Sequence, residues 1–194
     1  MAQRDRAEAV FEVIRSRRAV RAFTDEPVSV ADIRRLLEAA RWASDAGNRR
    51  LHRFYVTRDP DKIDLISTVG PGFYGTPTAL IVICTDLAKA AREGVDPAHD
   101  DSTWIDVGTA AMNMLLMAHA LGLGATPVTS VSRSGLREVL ELPDHLRADL
   151  ILQLGHPAPA AVPRARRGRR LGIEELTDWE AVGGAVPADG DGTQ

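Results

Sequence analysis

Ile105-Asp106-Val107-Gly108-Thr109-Ala110-Ala111-Met112-Asn113-Met114-Leu115-Leu116-Met117-Ala118-His119-Ala120-Leu121 is the stretch around which the chain is organised. Its apolar residues recur on nearly every side of a 3.6-residue period, which predicts a long central helix buried all round. Gly122 and Gly124 close it. The run is broken by Asn113 and His119 and falls at the short end for a membrane span. His119 reads as a hydrogen-bonded core or interface histidine. Upstream, Ala79 to Thr85 is a near-continuous run of strand formers, and Phe54-Tyr55-Val56-Thr57 is a shorter one. Downstream, Val128 to Val131 can be a strand and Asp149 to Leu154 a buried one.

Further from the centre, Val10, Phe11, Val13 and Ile14 give one apolar face to a helix that runs into Arg17. A second helix starts at Ser29, whose hydroxyl can cap it with Asp32 at the third position. Ile33, Leu36, Leu37 and Ala40 follow with helical spacing. Asp61 to Ile66 and Leu136 to Leu140 are shorter helices, and the polar stretch Lys89 to Asp101 is expected to be a mobile surface segment. Strands separated by helices, with few tight hairpin signals, predict a three-layer α+β domain.

At 194 residues and 44% hydrophobic the chain suits one domain, expected over residues 1–184. Residues 185–194, poor in apolar side chains, are expected to be a disordered tail. The net charge of -3 supplies no global basic field for nucleic acid or membrane, and neither is expected as a partner. Met1 to Glu8 lacks the apolar core of a signal peptide, which predicts a cytoplasmic protein. Cys84, the single cysteine, lies in an apolar strand and reads as an inert buried thiol.

Positive charge is local, at Arg17 to Arg21, Arg49 to Arg53 and Arg164 to Arg170. In Arg17-Arg18-Ala19-Val20-Arg21-Ala22-Phe23 the guanidiniums can converge on one multiply charged anion, which their planar forks match bidentately. Other motifs fail. Gly122-Leu123-Gly124 follows a helix and lacks the third glycine of a dinucleotide loop. His99-Asp100-Asp101 with Asp106 has no common metal-ligand spacing, so no metal site is expected. The loop Gly70 to Gly75, with Phe73 and Tyr74, and the segment Lys89 to Asp101 are the candidate substrate contacts. Phe73 and Tyr74 can equally be covers for the sheet end.

Taken in order, the chain resembles the nitroreductase superfamily of FMN-dependent oxidoreductases over roughly Val10 to Trp179. The residues that carry the likeness are the Arg17 to Phe23 stretch, the helix break Ser44-Asp45-Ala46-Gly47-Asn48 and the helix Asp106 to Leu121. Gly122-Leu123-Gly124, Leu152-Gln153-Leu154-Gly155-His156-Pro157-Ala158 and the late arginine cluster complete it. The resemblance implies a central mixed sheet flanked by helices and a homodimer of the domain-swapped type, with two FMN sites at its interface. The family's Arg-Arg-Ser-x-Arg-x-Phe stretch implies flavin contacts from Arg17, Arg18, Ala19 and Arg21, with Arg17 and Arg21 nearest the phosphate; Ala19 stands where the family has serine. The family's Pro-Ser-x-x-Asn-x-Gln-Pro-Trp stretch, which reaches the partner's flavin, aligns with Ser44 to His52. Asn48 is retained, Arg50 stands for the glutamine, and the prolines and tryptophan are gone.

The same resemblance puts the backbone of Pro127, Val128 and Thr129 beside flavin N5, and Arg166 and Arg167, with Arg169 as a fallback, on the phosphate. It implies ping-pong chemistry: hydride passes from NAD(P)H through N5 to a nitroaromatic, quinone or enone, and no dedicated catalytic acid is required because the cofactor carries the chemistry. Asn48 or Arg50 is the candidate to stabilise charge on the reduced ring. Alternatives are a flavin oxidase or dehydrogenase acting on a peptide or natural product, and a degenerate flavin-binding protein without turnover. Nucleic-acid binding through the arginine islands is disfavoured by the net charge and by an aromatic content of only 5%.

Overall fold

The computed structural model describes residues 3–159 and 171–184. Contacts group the chain into two compact units, Met1–Val162 and Pro163–Gln194. In the second, Gly172 opens a short 3-10 turn, Ile173–Glu175, and donates its N–H to the Glu175 carboxylate at 2.6 Å.

In the first unit, helix α1 (Gln3–Ser16) leads to α2 (Val30–Arg41). Ser29 caps α2 from the position expected: its hydroxyl accepts the Asp32 N–H at 3.0 Å and donates to the Asp32 carboxylate at 2.7 Å. A 3-10 turn (Ala46–Asn48) precedes strand β1 (His52–Thr57), then α3 (Pro60–Thr68) and β2 (Ala79–Asp86). Asp59 caps α3, and Pro60 sits in its first turn, where a missing N–H costs nothing. Helices α4 (Leu87–Arg92) and α5 (Ser102–Ala120), strand β3 (Gly124–Val128), α6 (Arg133–Val139) and β4 (Leu146–Gly155) follow.

The strands form one sheet in the order β1-β2-β4-β3. Every residue of β2 is buried, because both faces are covered. Ala79, Ile81 and Ile83 join α2 and α5 in one core, whereas Leu80, Val82 and Cys84 join residues of α3 and α6 in another. This is the three-layer α+β arrangement, and burying side chains such as Leu36, Met114 and Ile81 contributes about 1.5–3 kcal/mol each. Burial also pushes the Cys84 thiol up to about 12, which keeps it inert.

Four expectations need correction. The sheet is antiparallel in each pairing among the described residues, not mixed. Thr57 lies opposite Leu80, so the chain turns back through α3 as a long hairpin. Helix α5 is not buried all round: Val107, Ala110, Met114 and Ala118 face the core, while Ile105 is 63% and Met112 46% exposed. The third strand ends at Val128 instead of starting there. Finally, the stretch after Lys89 holds most of α4, and the turn beyond it is tied by Asp96, which accepts the N–H groups of Ala98, His99 and Asp100.

Among the described residues no helix is long and apolar enough to cross a membrane.

Candidate cofactor and substrate site

The arginine stretch leaves α1 and runs along the open edge of β3. Val20 donates its N–H to Ala125 O at 3.2 Å, and Thr126 Oγ1 donates to Val20 O. Beyond it, Thr24 N–H reaches His156 O at 2.8 Å and Ala158 N–H reaches Ala22 O at 3.0 Å, around a Phe23–Pro157 bridge. The edge is thus paired and positions the arginines at once. Two glycines permit this approach: a Cβ at Gly124 would stand 2.7 Å from Val20 Cγ1, and one at Gly155 2.7 Å from Phe23 Cδ1. Ser16 and His119, 2.7 Å apart, tie the end of α1 to the end of α5, as the hydrogen-bonded reading of His119 requires.

The glycine loop closes over the same corner. Gly72 N–H donates to Ser130 O at 3.2 Å, and Gly75, at φ +62, brings its backbone so close that a Cβ would lie 2.5 Å from Arg21 O. Tyr74 is clamped by Gln153: its N–H donates to Gln153 Oε1 at 3.3 Å, and Gln153 Nε2 donates to Tyr74 O at 3.1 Å. The Arg21 guanidinium stands 5.2 Å over the Tyr74 ring. Phe73 packs against the α3/α6 core, the cover role weighed for it above, while Tyr74 is exposed. Gln153 was quoted in the sequence without a role; a fully buried amide inside an apolar strand was the available signal.

Among the described residues no carboxylate ion-pairs with Arg17, Arg18 or Arg21, whereas Arg15, Arg41, Arg49, Arg53, Arg137 and Arg147 each have one. Arg18 turns back instead, donating to Arg15 O at 2.6 Å and Arg17 O at 2.8 Å. Among the described residues Arg17 and Arg21 are thus without a carboxylate partner, as are Arg34, Arg35 and Arg58, and Arg18 is committed to backbone carbonyls. The Arg17 and Arg21 guanidiniums fit a phosphate dianion.

A second cluster precedes β1. Gly47, Asn48 and Arg50 all have positive φ, at 65°, 54° and 51°. For Asn48 and Arg50 this costs energy that surrounding bonds must offset. Asp45 supplies them: both of its carboxylate oxygens accept the Arg50 N–H, at 3.0 and 3.1 Å. Arg50 Nε donates to Asn48 Oδ1 at 3.1 Å, and Ala46 N–H to the buried Asp106 carboxylate at 3.0 Å. Burial pushes the Asp106 pKa up, against the pull of that bond.

His52 sits behind this turn with both ring nitrogens buried and without a hydrogen-bond partner. Its Nε2 is 3.8 Å from Asp45 Oδ2. Burial lowers its pKa, with Asp45, Asp106 and Asp149 opposing the shift. Beside it opens a cavity of about 340 Å³.

The two clusters occupy diagonally opposite corners. Arg17 to Arg21 lies on β3, at the end of the sheet marked by Gly124 and Gly155; His52 starts β1 opposite Thr85, on the other edge and at the other end. Strand spacing and rise put them on the order of 20 Å apart. The structure thus brings Arg21, Tyr74 and Gln153 together and does not bring Asn48 and Arg50 to them.

The sequence profile described as Nitroreductase family matches residues 14–69 and 68–156. An Archaeoglobus fulgidus protein, provisionally named NADH dehydrogenase/NAD(P)H nitroreductase, is 31% identical over 158 residues, covering 77% of this chain and 86% of its own. The chain belongs to the nitroreductase family. An FMN reductase (NADPH) of Bacillus subtilis is 25% identical over 182 residues, 86% of this chain and 73% of its own. Among solved structures, a nitroreductase family protein of Clostridium difficile 630 superposes with a TM-score of 0.74 at 26% identity, covering 88% of this chain and 97% of that one.

For a nitroreductase the arrangement divides the expected residues cleanly. The Gly70 to Gly75 loop meets Arg21 at Gly75 and reaches Val128 and Ser130 at Gly72, so it links the arginine stretch to the far end of β3. Pro127 is exposed on the edge strand, the one kind of sheet position that tolerates a missing N–H. Arg166, Arg167 and Arg169 lie outside the described residues, as does the tail 185–194. Asp45, Asp106 and His52, the framework of the second corner, carried no role in the sequence reading; only their proximity in space reveals them.

Proposed function

We propose that the chain works as a homodimeric, FMN-dependent NAD(P)H oxidoreductase that passes electrons by a ping-pong cycle to a small organic acceptor. That it is an FMN-dependent oxidoreductase drawing on NAD(P)H rests on its family membership, with relatives named FMN reductase and NAD(P)H nitroreductase. The observation that carries the finer reading is the uncompensated pair Arg17 and Arg21 beside the end of β3. These two would hold the phosphate, with Arg18 able to swing from its carbonyl partners to join them. The backbone of Pro127 to Thr129 would flank the ring. Bound FMN supplies a reversible hydride acceptor, so no side chain is asked to be one.

The homodimer is supported by what a single chain leaves open. Its two half-sites lie on the order of 20 Å apart by strand geometry, too far to meet on one small cofactor. Val10, Phe11 and Ile14 of α1, Trp42 after α2, and Ile105 and Met112 of α5 are exposed. Part of this surface lines an apolar groove of about 550 Å³ between α1 and α5. Apolar faces of this kind mark an interface. A second copy seated there would bring its Asn48 and Arg50 toward the first copy's arginine corner. In this reading the dimer is cytoplasmic, and Phe73 and Tyr74 flank the acceptor.

Flavin absorbance in purified protein, its release on denaturation and its anaerobic bleaching by NADH or NADPH test the proposal. Protein that stays colourless and binds no added FMN overturns it. Bound flavin that oxygen reoxidises but NAD(P)H never bleaches moves the chain to the oxidase reading. A monomeric mass in solution overturns the shared site.

A further inference from the structure

The cavity beside His52 combines an apolar floor with an excess of positive charge. Leu37 of α2 and Phe54 of β1 floor it, and the guanidiniums of Arg41, Arg50 and Arg53 line it against the single carboxylate of Asp45. These charges are unequally compensated. Arg41 gives Nε and Nη2 to Glu38 at 2.9 and 2.5 Å, and Arg53 Nη2 stands 2.9 Å from Asp86. Asp45 is taken up by the Arg50 backbone N–H. Arg50 commits only its Nε, to Asn48, and both of its Nη atoms lack a hydrogen-bond partner among the described residues. The His52 ring lines the same cavity, with both ring nitrogens buried and turned away from its open space. A void of about 150 Å³ admits benzene, so one of about 340 Å³ takes a single substituted ring.

We propose that this cavity selects electron acceptors bearing an acidic group, a carboxylate or phenolate on one apolar ring, held by Arg50 with the His52 ring beside it. The proposal rests on the oxidoreductase reading above, in which Asn48 and Arg50 border the partner's cofactor and so place the acceptor next to it. It narrows the acceptor from any nitroaromatic, quinone or enone to the anionic ones. Arg50 and His52 stand where the family's stretch has glutamine and tryptophan, so the preference belongs to this chain's own departures.

The test compares 4-nitrobenzoate with its neutral isostere 4-nitrobenzamide, using the flavin-loaded dimer at saturating NADH or NADPH. Each turnover moves one hydride from the nicotinamide and one proton from solvent, converting the nitro group to nitroso plus water. One charge-assisted bond implies a kcat/KM at least ~10-fold higher for the benzoate, expressed mainly in KM. Arg50→Gln should pull the ratio of the two acceptors toward one, whereas Arg41→Gln, whose guanidinium is already held by Glu38, should leave it in place. Equal kcat/KM values, or a benzoate preference untouched by Arg50→Gln, overturn the proposal.

Calorimetry with benzoate, which cannot be reduced here, separates this inference from the reading beneath it. Benzoate binding that is lost in Arg50→Gln, in protein without NAD(P)H oxidation, keeps the cavity and removes the oxidoreductase. Turnover of both acceptors at equal efficiency, with no benzoate bound, keeps the oxidoreductase and removes the cavity.

Discussion

The two corners of the sheet are built on opposite physical terms. At the arginine corner the backbone is held by close packing: Gly124 and Gly155 let Val20 and Phe23 lie directly on the strands, and Gly75 meets the carbonyl of Arg21. Among the described residues the charged ends of Arg17 and Arg21 have no carboxylate partner there. At the His52 corner the backbone is strained at Asn48 and Arg50, a histidine is buried without partners, and a cavity remains. The first resembles a mould for one fixed group. The second is a strained turn that leaves room beside it. A nitroreductase that keeps its cofactor while altering its acceptor would be expected to divide its structure in this way.

Removing the charge at the arginine corner should have the largest effect. Arg17→Ala with Arg21→Ala deletes two charge-assisted contacts of about 1.5–3 kcal/mol each, so FMN affinity should fall ~100-fold or more. Flavin fluorescence titration measures it, and unchanged affinity would make this corner merely structural. Next is Gly75→Ala, which forces a side chain into a left-handed position and against Arg21 O. It should cost about 2–4 kcal/mol in thermal or urea unfolding and loosen FMN with it. A wild-type melting curve would show that the close approach is dispensable.

The His52 corner should respond to pH instead. Because burial lowers the folded-state pKa of His52, the unfolded chain takes up its proton first as pH falls below about 6.5. Stability present above that pH should therefore decline on acidification, and His52→Phe should flatten the decline. Asp106, whose pKa is raised, acts with the opposite sign at lower pH, losing stability as pH rises through the carboxylate range. Unfolding midpoints between pH 5 and 8 decide the matter; identical slopes in wild type and variant would remove His52 from the account. The smallest effect is expected at Arg15, whose pair with Glu12 is exposed. Arg15→Gln should leave both Tm and FMN binding within experimental scatter, since exposed pairs contribute little. A large loss there would mean that charge near α1 acts collectively and not through Arg17 and Arg21.

Much of this molecule was legible along the chain. Ser29 and Asp32 announced the start of α2, the apolar run at Ala79 became a strand covered on both faces, and Gly122 ended α5 at φ +75. These are local signals, set by caps, periodicity and φ preference within a few residues. The arginine stretch was legible as a local concentration of charge. Less legible were Gln153, which clamps Tyr74 across 79 residues, and Asp106, which holds Ala46 across 60. Nothing in their immediate neighbours marks those partners.

By itself, then, the sequence determined the elements, the three-layer class, the family resemblance and the islands of arginine, because each depends on side-chain chemistry or short-range geometry. Tertiary structure alone decided that the strands pair antiparallel, that one face of α5 is left uncovered, and that Asn48 and Arg50 stand across the sheet from Arg17 and Arg21. It also enclosed His52 beside a cavity. Those outcomes depend on which distant surfaces meet and how completely they fill the space between them, and no window of sequence carries that information.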